Sequence, residues 1–209
     1  MTTTPYKKAL IVLVADRNME FTVKGLLGRS QSLNIKDVSY DIYNHPENDP
    51  GCRSNGVNFL RPFVNQYSRA LLMFDKVGCG QENQPRAELE VIVEGQLAAS
   101  GWEGRSAVIV IEPELENWVW SDSPHVEAVL GWQGKQPNLR SWLMTKAFLK
   151  DGQNKPNNPK EAMDAALRRG QKAHSSSLFL QLAQKVSFER CDDPAFLKFK
   201  TTLSMWFPV

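Results

Sequence analysis

The chain contains short runs of apolar residues separated by stretches in which apolar residues recur at helical spacing. The first run, Ala9 to Val14, is continuous and rich in β-branched side chains, as a strand buried on both faces requires. Two later runs, Ala70 to Phe74 and Ala107 to Ile111, have the same character. Asp37 to Tyr43 instead alternates apolar and polar side chains, which is typical of a strand nearer a sheet edge. The pattern predicts four strands.

Helical patterns lie between these strands. Asn18 is a candidate N-cap for a helix that ends near Gly28. The stretch from Asn44 to Gly56 is dense in turn-forming residues and predicts a loop, followed by helical spacing from Val57 to Tyr67. Arg86 to Ala99 predicts an amphipathic helix. Its predicted buried face consists of Leu89, Ile92, Val93 and Leu97.

After the fourth strand the pattern is helical to the end of the chain. The predicted helices span residues 114–120, 124–130, 139–149, 160–169, 176–185 and 194–205. Strands alternating with helices predict an α/β fold with an approximately four-stranded, mostly parallel sheet flanked by helices. We interpret the chain as one domain, in which residues 1–121 form the core and residues 122–209 form a helical extension packed on it.

Composition narrows the class of protein. With 42% hydrophobic and 23% charged residues, the chain is an ordinary globular sequence, which argues against a disordered or fibrous protein. Its three cysteines include no CxxC pair, which argues against a disulfide framework or a cysteine-based zinc site. The first apolar run is too short for a membrane span. We therefore expect a reduced, cytoplasmic protein with no membrane partner.

Three of the predicted strands are followed by a carboxylate. Asp16 follows the first strand, Asp75 the third and Glu112 the fourth, with Glu114 and Glu116 close behind. In an open parallel sheet, ligands bind beyond the carboxyl ends of the strands, where these acids would converge. Carboxylates at close range repel one another, and a proton or a hard cation such as Mg²⁺ relieves that repulsion. The alternative is that these acids are ordinary turn residues at the ends of buried strands.

The segments that carry these acids resemble the Toprim family, in particular small bacterial Toprim-like proteins. ALIVLVADRNMEFTVKGLL resembles the first strand, acidic turn and helix of that family, with Asp16 where a glutamate is expected. ALLMFDKVGCG resembles the Asp-x-Asp strand, with Asp75 kept and Val77 at the second position. AVIVIEPELENWVW and the ending ERCDDPAFLKFKTTL also resemble segments of that family.

The resemblance implies a Mg²⁺-dependent nuclease or phosphoryl-transfer site, with Mn²⁺ as an alternative ion. The implied metal ligands are Asp75, Glu112 and either Glu114 or Glu116. Asp16 would be a further ligand or a general base, and Glu20 could substitute for it in catalysis. Families of this kind occur in bacterial anti-phage defence clusters, so the implied partners are nucleic acid and other proteins of a defence system.

The distribution of charge allows a phosphate partner although the net charge is only +2. Acidic residues outnumber basic ones in the middle third of the chain, and the reverse holds in the last third. Basic residues of the C-terminal helices could hold a nucleic-acid backbone, and the alternative is that they form solvated helix faces. The candidate nucleic-acid-binding residues are Lys155, Arg168, Arg169 and Lys172.

A second hypothesis belongs to a different functional class. Val77 removes an implied metal ligand, which favours a catalytically degenerate Toprim-like subunit that binds a partner protein within a defence complex. The six tryptophans all lie between Trp102 and Trp206, mostly in helical and apolar contexts, and we predict that they pack mainly in the core. A fraction of them could instead lie at a protein interface.

Overall fold

A computed structural model describes residues 6–121, 123–189 and 191–209. Its sheet has four strands, all parallel, in the order β2-β1-β3-β4. The strands are β1 (Lys8–Val14), β2 (Tyr40–Asn44), β3 (Tyr67–Asp75) and β4 (Ser106–Ile111). The predicted α/β class with a parallel sheet is confirmed, and β2 lies at an edge as its alternating pattern predicts. Asp122, at the predicted start of the extension, and Arg190, in the segment ERCDDPAFLKFKTTL, lie outside the described residues.

Ten α-helices occur in the described parts of the chain. They are α1 (Arg17–Leu27), α2 (Ser30–Leu33), α3 (Asn48–Leu60), α4 (Arg86–Leu97), α5 (Glu116–Val119), α6 (Pro124–Val129), α7 (Leu139–Thr145), α8 (Pro159–Gly170), α9 (Ser176–Lys185) and α10 (Pro194–Trp206). A 3₁₀ turn follows α3, and one turn of π-helix follows α4. None of these helices is long and apolar enough to cross a bilayer.

Helices cover both faces of the sheet. Helices α3 and α4 pack together on one face, where α3 contacts β1 and β3 while α4 covers β4. Helices α1 and α2 lie on the other face, where α9 packs along α1 and α10 contacts both β4 and α2. The central strands are therefore enclosed, and the side chains from Leu10 to Val14 and from Ala70 to Phe74 are all buried. This burial explains why both runs are uninterruptedly apolar.

The segment from Asn44 to Gly56 corrects one sequence-based prediction. Most of it belongs to helix α3 rather than to a loop. A β-carbon on Gly56 would lie 2.4 Å from a methyl group of Leu72, and one on Gly51 would lie 2.2 Å from the His45 ring. The glycines allow α3 to approach the sheet and the end of β2 closely. Glycine is required at these positions because it permits close tertiary packing. From sequence alone, glycine is also a signal for a turn, so the segment was predicted as a loop.

The start of α1 corrects a second prediction. The N-cap is Asp16 rather than Asn18, because the Asp16 carboxylate accepts a hydrogen bond of 2.8 Å from the Met19 backbone N–H. The helix ends at Leu27 with Gly28 as its C-cap, in agreement with the predicted end near Gly28. Asn18 instead lies in the first helical turn, where its side chain accepts a hydrogen bond from Ser176 at the start of α9.

The buried face of α4 differs from the predicted one at two positions. Ile92 is 47% exposed, whereas Glu90 is buried. The Glu90 carboxylate accepts a hydrogen bond of 3.0 Å from the Val110 backbone N–H, and Glu94 accepts one of 2.9 Å from Val108. Both donors belong to edge strand β4, so these two side chains, here called the edge carboxylates, occupy part of the backbone that an edge strand otherwise exposes.

Two cations neutralise the edge carboxylates. Arg86, one turn before Glu90 on α4, donates to Glu90 at 2.6 Å. Lys198 of α10 reaches across the edge of β4 and contacts Glu90 at 3.2 Å and Glu94 at 2.7 Å. The edge carboxylates are therefore supplied with both hydrogen bonds and counter-charges, as buried charge requires.

The tryptophans pack mainly in the core, as predicted. Trp102, Trp120 and Trp132 are each at most 4% exposed, and all three indole N–H groups donate to backbone carbonyls. Trp118, Trp142 and Trp206 are half-buried against the same core. Trp118 donates a hydrogen bond of 3.0 Å to Asp193, the N-cap of α10. The indoles therefore join the C-terminal helices to one another and to the sheet.

Candidate functional site

The order of the strands creates a crevice between β1 and β3. The chain leaves β1 toward β2 on one side and then crosses over to β3 on the other side. Connections that depart in opposite directions leave an opening beyond the carboxyl ends of the two central strands, where open α/β sheets bind ligands. Asp16 follows β1 and Asp75 ends β3, so these two predicted acids flank the opening.

Asp16 is exposed, and one of its carboxylate oxygens is engaged. That oxygen caps α1 through the Met19 N–H. The negative charge at the N-terminus of α1 is favourable, because the unpaired N–H groups of a helix start carry partial positive charge. In the described residues no hydrogen bond is made to the second oxygen, so it remains available at the opening.

Asp75 has an unsatisfied oxygen. The residue as a whole is half-buried, but its Oδ1 is shielded from solvent and has no hydrogen-bond donor among the described residues. Its backbone N–H donates to the Asp49 carboxylate at 2.8 Å, which brings an acid of α3 beside it. Burial, followed by the charges of Asp49, Glu116 and Asp16, raises the pKa of Asp75 well above its usual range.

Two further carboxylates at this opening have raised pKa values. Burial raises the pKa of Asp49, and the nearby charge of Asp16 adds to the shift. Glu116 of α5 is only 4% exposed. Burial raises the pKa of Glu116 to about 7, and the charges of Glu114 and Asp16 act in the same direction. We call Asp16, Asp49, Asp75 and Glu116 the switch-point carboxylates.

A cleft of about 420 Å³ lies beyond the ends of β3 and β4, and none of the switch-point carboxylates lines it. Its lining comes from three elements: Val77 after β3, Pro113 and Glu114 after β4, and the first turns of α8. Glu114 accepts a hydrogen bond of 2.9 Å from the Lys160 backbone N–H, so it fixes the start of α8 at the cleft. Lys160 is exposed and contributes an ammonium group to this lining.

The charges of the acids act on Lys160. Burial alone would lower the pKa of Lys160, but the carboxylates of Glu116, Glu114, Asp75 and Asp16 outweigh it and raise the pKa. None of the ion pairs formed by the described residues includes Lys160. The lysine therefore lies within the field of the switch-point carboxylates without direct contact with any of them.

The structure separates the other predicted acids from this group. Glu112 has a 50% exposed side chain and pairs with Lys76 at 2.6 Å. Glu20 forms an ion pair with Lys24 and accepts a hydrogen bond of 2.6 Å from Asn44. Burial alone would raise the pKa of Glu20, but these two partners outweigh it and lower the pKa. Glu112 and Glu20 are therefore each paired with a cation. The Glu114 carboxylate accepts the hydrogen bond from the Lys160 backbone N–H at the start of α8.

The four predicted nucleic-acid-binding residues occupy two places. Lys155 is tied to the C-terminal part of the chain through Asp192 at 4.0 Å and Asp193 at 3.9 Å. Arg168 and Arg169 are exposed in the last turn of α8, and Lys172 is exposed just beyond it. Eight residues of helix separate Lys160 from Arg168, a rise of about 12 Å. The exposed basic group therefore lies at the far end of α8 from the carboxylates.

The side chains fit a divalent cation in their chemistry. Mg²⁺ prefers oxygen ligands, and the unsatisfied Oδ1 of Asp75 is such a ligand. In residues 6–121, 123–189 and 191–209, however, no three carboxylate, imidazole or thiol side chains are arranged to hold a metal ion. Mg²⁺ commonly takes one or two protein carboxylates and completes its shell with waters and substrate phosphates. A Mg²⁺ ion held by these side chains would therefore have to bind in that open way, since they form no closed protein cage among the described residues.

Two residues of this site, Asp49 and Lys160, were missed by sequence reasoning. Asp49 was placed in a predicted loop, although Asp and Asn followed by Pro50 are a signal for a helix start. Lys160 belongs to the basic set of the C-terminal helices but was not selected as a site residue, because no local pattern distinguishes it from Lys155. Comparison of the chain with protein-family models, curated proteins and solved structures finds no match, so geometry and chemistry carry the functional argument.

Proposed function

We propose that the protein is a Mg²⁺-dependent phosphodiesterase or phosphoryl-transfer protein acting on nucleic acid at the switch-point carboxylates. The observation that carries this proposal is the Asp75 Oδ1, a buried acceptor with no donor among the described residues. Burial, together with the charges of three neighbouring acids, raises the pKa of this carboxyl group. Perturbed carboxylates grouped in a crevice are typical of functional sites, because folding stability does not benefit from their repulsion.

Asp75 and Glu116 are the carboxylates that would hold the cation. Both are withdrawn from solvent, and both have raised pKa values, so a divalent cation would relieve their repulsion and displace their protons. When bound, Mg²⁺ polarises a phosphoryl oxygen and lowers the pKa of a bound water. Because only two protein carboxylates take part, we expect the cation to bind much more tightly when a substrate phosphate is present.

The free oxygen of Asp16 has the role of general base in this proposal. Hydrolysis requires a water oxygen to form a bond to phosphorus while the ester P–O bond breaks. The proton of the water passes to Asp16, and the departing alkoxide takes a proton from solvent. The hydrogen bond from Met19 fixes the position of the Asp16 carboxylate, which limits the conformations it must lose before reaction.

The exposed group Arg168, Arg169 and Lys172 would hold the substrate backbone away from the reacting phosphate. The net charge of +2 limits the affinity that such a patch can supply, so we propose that other proteins contribute to binding. The resemblance to Toprim-like proteins adds an anti-phage defence system as the setting. The three free cysteines suit the reducing cytoplasm that we propose as the location.

A cleavage assay combined with a thermal shift tests this proposal. Supercoiled plasmid and labelled single-stranded DNA and RNA are incubated with Mg²⁺ or Mn²⁺, using wild type, Asp75→Asn and the control Glu103→Gln. Glu103 is an exposed carboxylate on the turn before β4. It therefore lies at the opposite end of the strands from the opening between β1 and β3. We expect metal-dependent cleavage to fall at least 100-fold in Asp75→Asn, since loss of a metal ligand removes several kcal/mol of transition-state stabilisation.

The melting temperature is measured with millimolar Mg²⁺ in the presence and absence of a non-cleavable phosphorothioate oligonucleotide. A rise for wild type and Glu103→Gln that is absent in Asp75→Asn supports the site. Cleavage that persists in Asp75→Asn, or a melting temperature indifferent to both additions, would contradict the proposal.

A second candidate function is binding to a partner protein without catalysis. The observation in its favour is Val77, whose side chain is 51% exposed at the position where the Toprim pattern has its second aspartate. A valine side chain offers no oxygen ligand to a metal ion, which favours a function without metal-dependent catalysis. This function predicts no metal-dependent cleavage, together with a stable complex on co-expression with proteins encoded beside this one. Substituting Val77→Asp should then weaken that complex.

A further inference from the structure

A second cleft lies between helices α3 and α4, which cover the face of the sheet opposite to α1. Its volume is about 390 Å³, within the range of about 300–1,000 Å³ that is typical of small-molecule sites. Helix α3 contributes Arg53 and Ser54 to the lining, the loop after β3 contributes Gln81 and Gln84, and α4 contributes the remainder. This α3–α4 cleft shares no lining residue with the cleft at the start of α8.

Among the described residues that line the α3–α4 cleft, Arg53 is the only charged one. Its Nε donates a hydrogen bond of 2.6 Å to the Cys79 backbone carbonyl, which fixes the guanidinium to the loop after β3. That loop is closed by Glu82, whose carboxylate accepts from the Gly78 and Gly80 N–H groups at 3.0 Å and 3.1 Å and does not line the cleft. With the described residues, the two terminal nitrogens of Arg53 make no hydrogen bond or ion pair, so their donors remain available.

Uncharged hydrogen-bonding groups accompany Arg53 in this lining. Gln81, Gln84 and Gln96 each contribute a carboxamide, and none of the three side chains has a hydrogen-bond partner in the described parts of the chain. No carboxylate of the described residues lines the cleft, so nothing within it neutralises the guanidinium. A lining with one cation and several amide donors favours an anion that offers several acceptor oxygens, as a phosphate group does.

Helix α4 supplies an apolar wall to the same cleft. Leu89 and Val93 are buried behind it, whereas Ile92 is 47% exposed and lines the cleft beside the glutamine side chains. Small-molecule sites commonly combine an apolar surface with a few polar groups that fix the orientation of the ligand. The ligand that uses every part of this lining therefore has a phosphate group, an apolar face and an edge with hydrogen-bonding groups.

We propose that the α3–α4 cleft binds a nucleoside monophosphate, with the phosphate on Arg53 and the base against Ile92 among the glutamine side chains. A guanidinium binds two phosphate oxygens in parallel, and a glutamine side chain pairs with two adjacent groups on the edge of adenine. This binding requires no metal ion and none of the switch-point carboxylates, so it goes beyond the proposed function. The phosphorylated end of a nucleic-acid strand has the same chemistry as a free nucleotide, and the experiment below distinguishes the two sources.

Isothermal titration calorimetry with AMP, inorganic phosphate and adenosine tests this site, with EDTA present to exclude metal ions. The proteins are wild type, Arg53→Met, Gln96→Glu and the control Arg61→Met, which removes an exposed arginine about 12 Å further along α3. Gln96→Glu keeps the shape of an exposed side chain and adds a negative charge to the lining. It therefore remains informative if Arg53→Met, which loses the contact with Cys79, does not fold. Melting temperatures check folding.

We expect wild type to bind AMP at least tenfold more tightly than phosphate or adenosine, because each of these uses only part of the cleft. Arg53→Met and Gln96→Glu should weaken AMP binding at least tenfold, whereas Arg61→Met should match wild type. No AMP binding by wild type at millimolar concentration, or wild-type affinity in folded Arg53→Met and in Gln96→Glu, would overturn the inference. Either result would leave the proposed function standing, because the measurement excludes metal ions.

A 5′-phosphorylated tetranucleotide distinguishes the two sources of the phosphate. An affinity of wild type no higher than that for AMP supports a free nucleotide as the ligand. A higher affinity, lost in Arg53→Met or Gln96→Glu, would overturn the free nucleotide and assign the end of a strand.

Discussion

Two groups of carboxylates in this protein each contain a buried member, Glu90 in one and Glu116 in the other, and the surroundings of the two groups differ. The edge carboxylates, Glu90 and Glu94, accept hydrogen bonds from β4 and lie against Arg86 and Lys198. The switch-point carboxylates have no cation in direct contact among the described residues, and Asp75 leaves one buried oxygen without a donor.

The difference separates a structural role from a functional one. Burial of a charge costs free energy unless hydrogen bonds and opposite charges offset the cost. The edge carboxylates receive hydrogen bonds from β4 and opposite charge from Arg86 and Lys198. They also cover part of the exposed edge of β4. The switch-point carboxylates have no such cation in contact among the described residues. A proton, a divalent cation or a bound ligand must therefore offset the cost of burying their charge.

The largest expected effect is a loss of stability on removal of an edge carboxylate. Glu90→Ala leaves the Val110 N–H without its acceptor and Arg86 without its partner. We expect the free energy of unfolding to fall by about 3 kcal/mol. Urea unfolding followed by circular dichroism measures the change. A loss below about 0.5 kcal/mol would mean that the edge carboxylates are not structural.

A smaller effect is expected in the pH dependence of stability, through Glu116. The pKa of Glu116 is about 7 in the folded protein against an ordinary value of 4.5, so between these pH values the folded state retains a proton that the unfolded state has released. The free energy of unfolding should therefore fall as the pH rises from about 4.5 to 7, by roughly 2 kcal/mol from this group.

Glu116→Gln isolates that contribution. Stability is measured by urea unfolding at half-unit steps of pH for wild type and variant. We expect the wild type to lose stability relative to the variant as the pH rises through this interval. Saturating Mg²⁺ with oligonucleotide should reduce the difference, because the cation replaces the proton. Parallel curves for the two proteins would show that Glu116 titrates as an ordinary carboxyl group.

The smallest expected effect is a gain in the free energy of unfolding in Asp75→Asn, in contrast to the loss expected in Glu90→Ala. Asp75→Asn replaces a carboxyl group whose ionisation is disfavoured by burial, Asp49 and Glu116, so at pH 8 we expect the free energy of unfolding to rise by about 1 kcal/mol. The same acid-to-amide change in the other group, Glu90→Gln, should lower it. Urea midpoints of the two variants make the comparison. A loss of stability in both would remove the distinction between the two groups.

The strands and the acids that follow them could be predicted from the sequence, because both depend on local patterns of residues. A run such as Leu10 to Val14 is apolar because its strand is buried on both faces, and Asp16 and Asp75 lie where such runs end. The first part of helix α3 was predicted as a loop and only Val57 to Leu60 as helix, because the glycines that allow its close contact with β3 also resemble turn residues. Composition cannot distinguish these two uses of glycine.

The partners of the buried acids were not predictable from sequence. Asp49 meets Asp75 across 26 positions of the chain, and Lys198 meets Glu94 across 104. Such contacts depend on how helices pack on the sheet and leave no local signal. For this reason Glu112, which directly follows a strand, was predicted as a ligand but pairs with Lys76, whereas Asp49 and Lys160 were overlooked.

The amino-acid pattern alone therefore specifies a parallel α/β sheet and places acids at the ends of its strands, because buried strands and the turns after them are local features. Packing establishes which of those acids remain without a counter-charge. Arg86 and Lys198 reach the edge carboxylates, while Lys160 stops short of the switch-point carboxylates. Electrostatic free energy depends on distance and on exclusion of water, and both are properties of the folded chain.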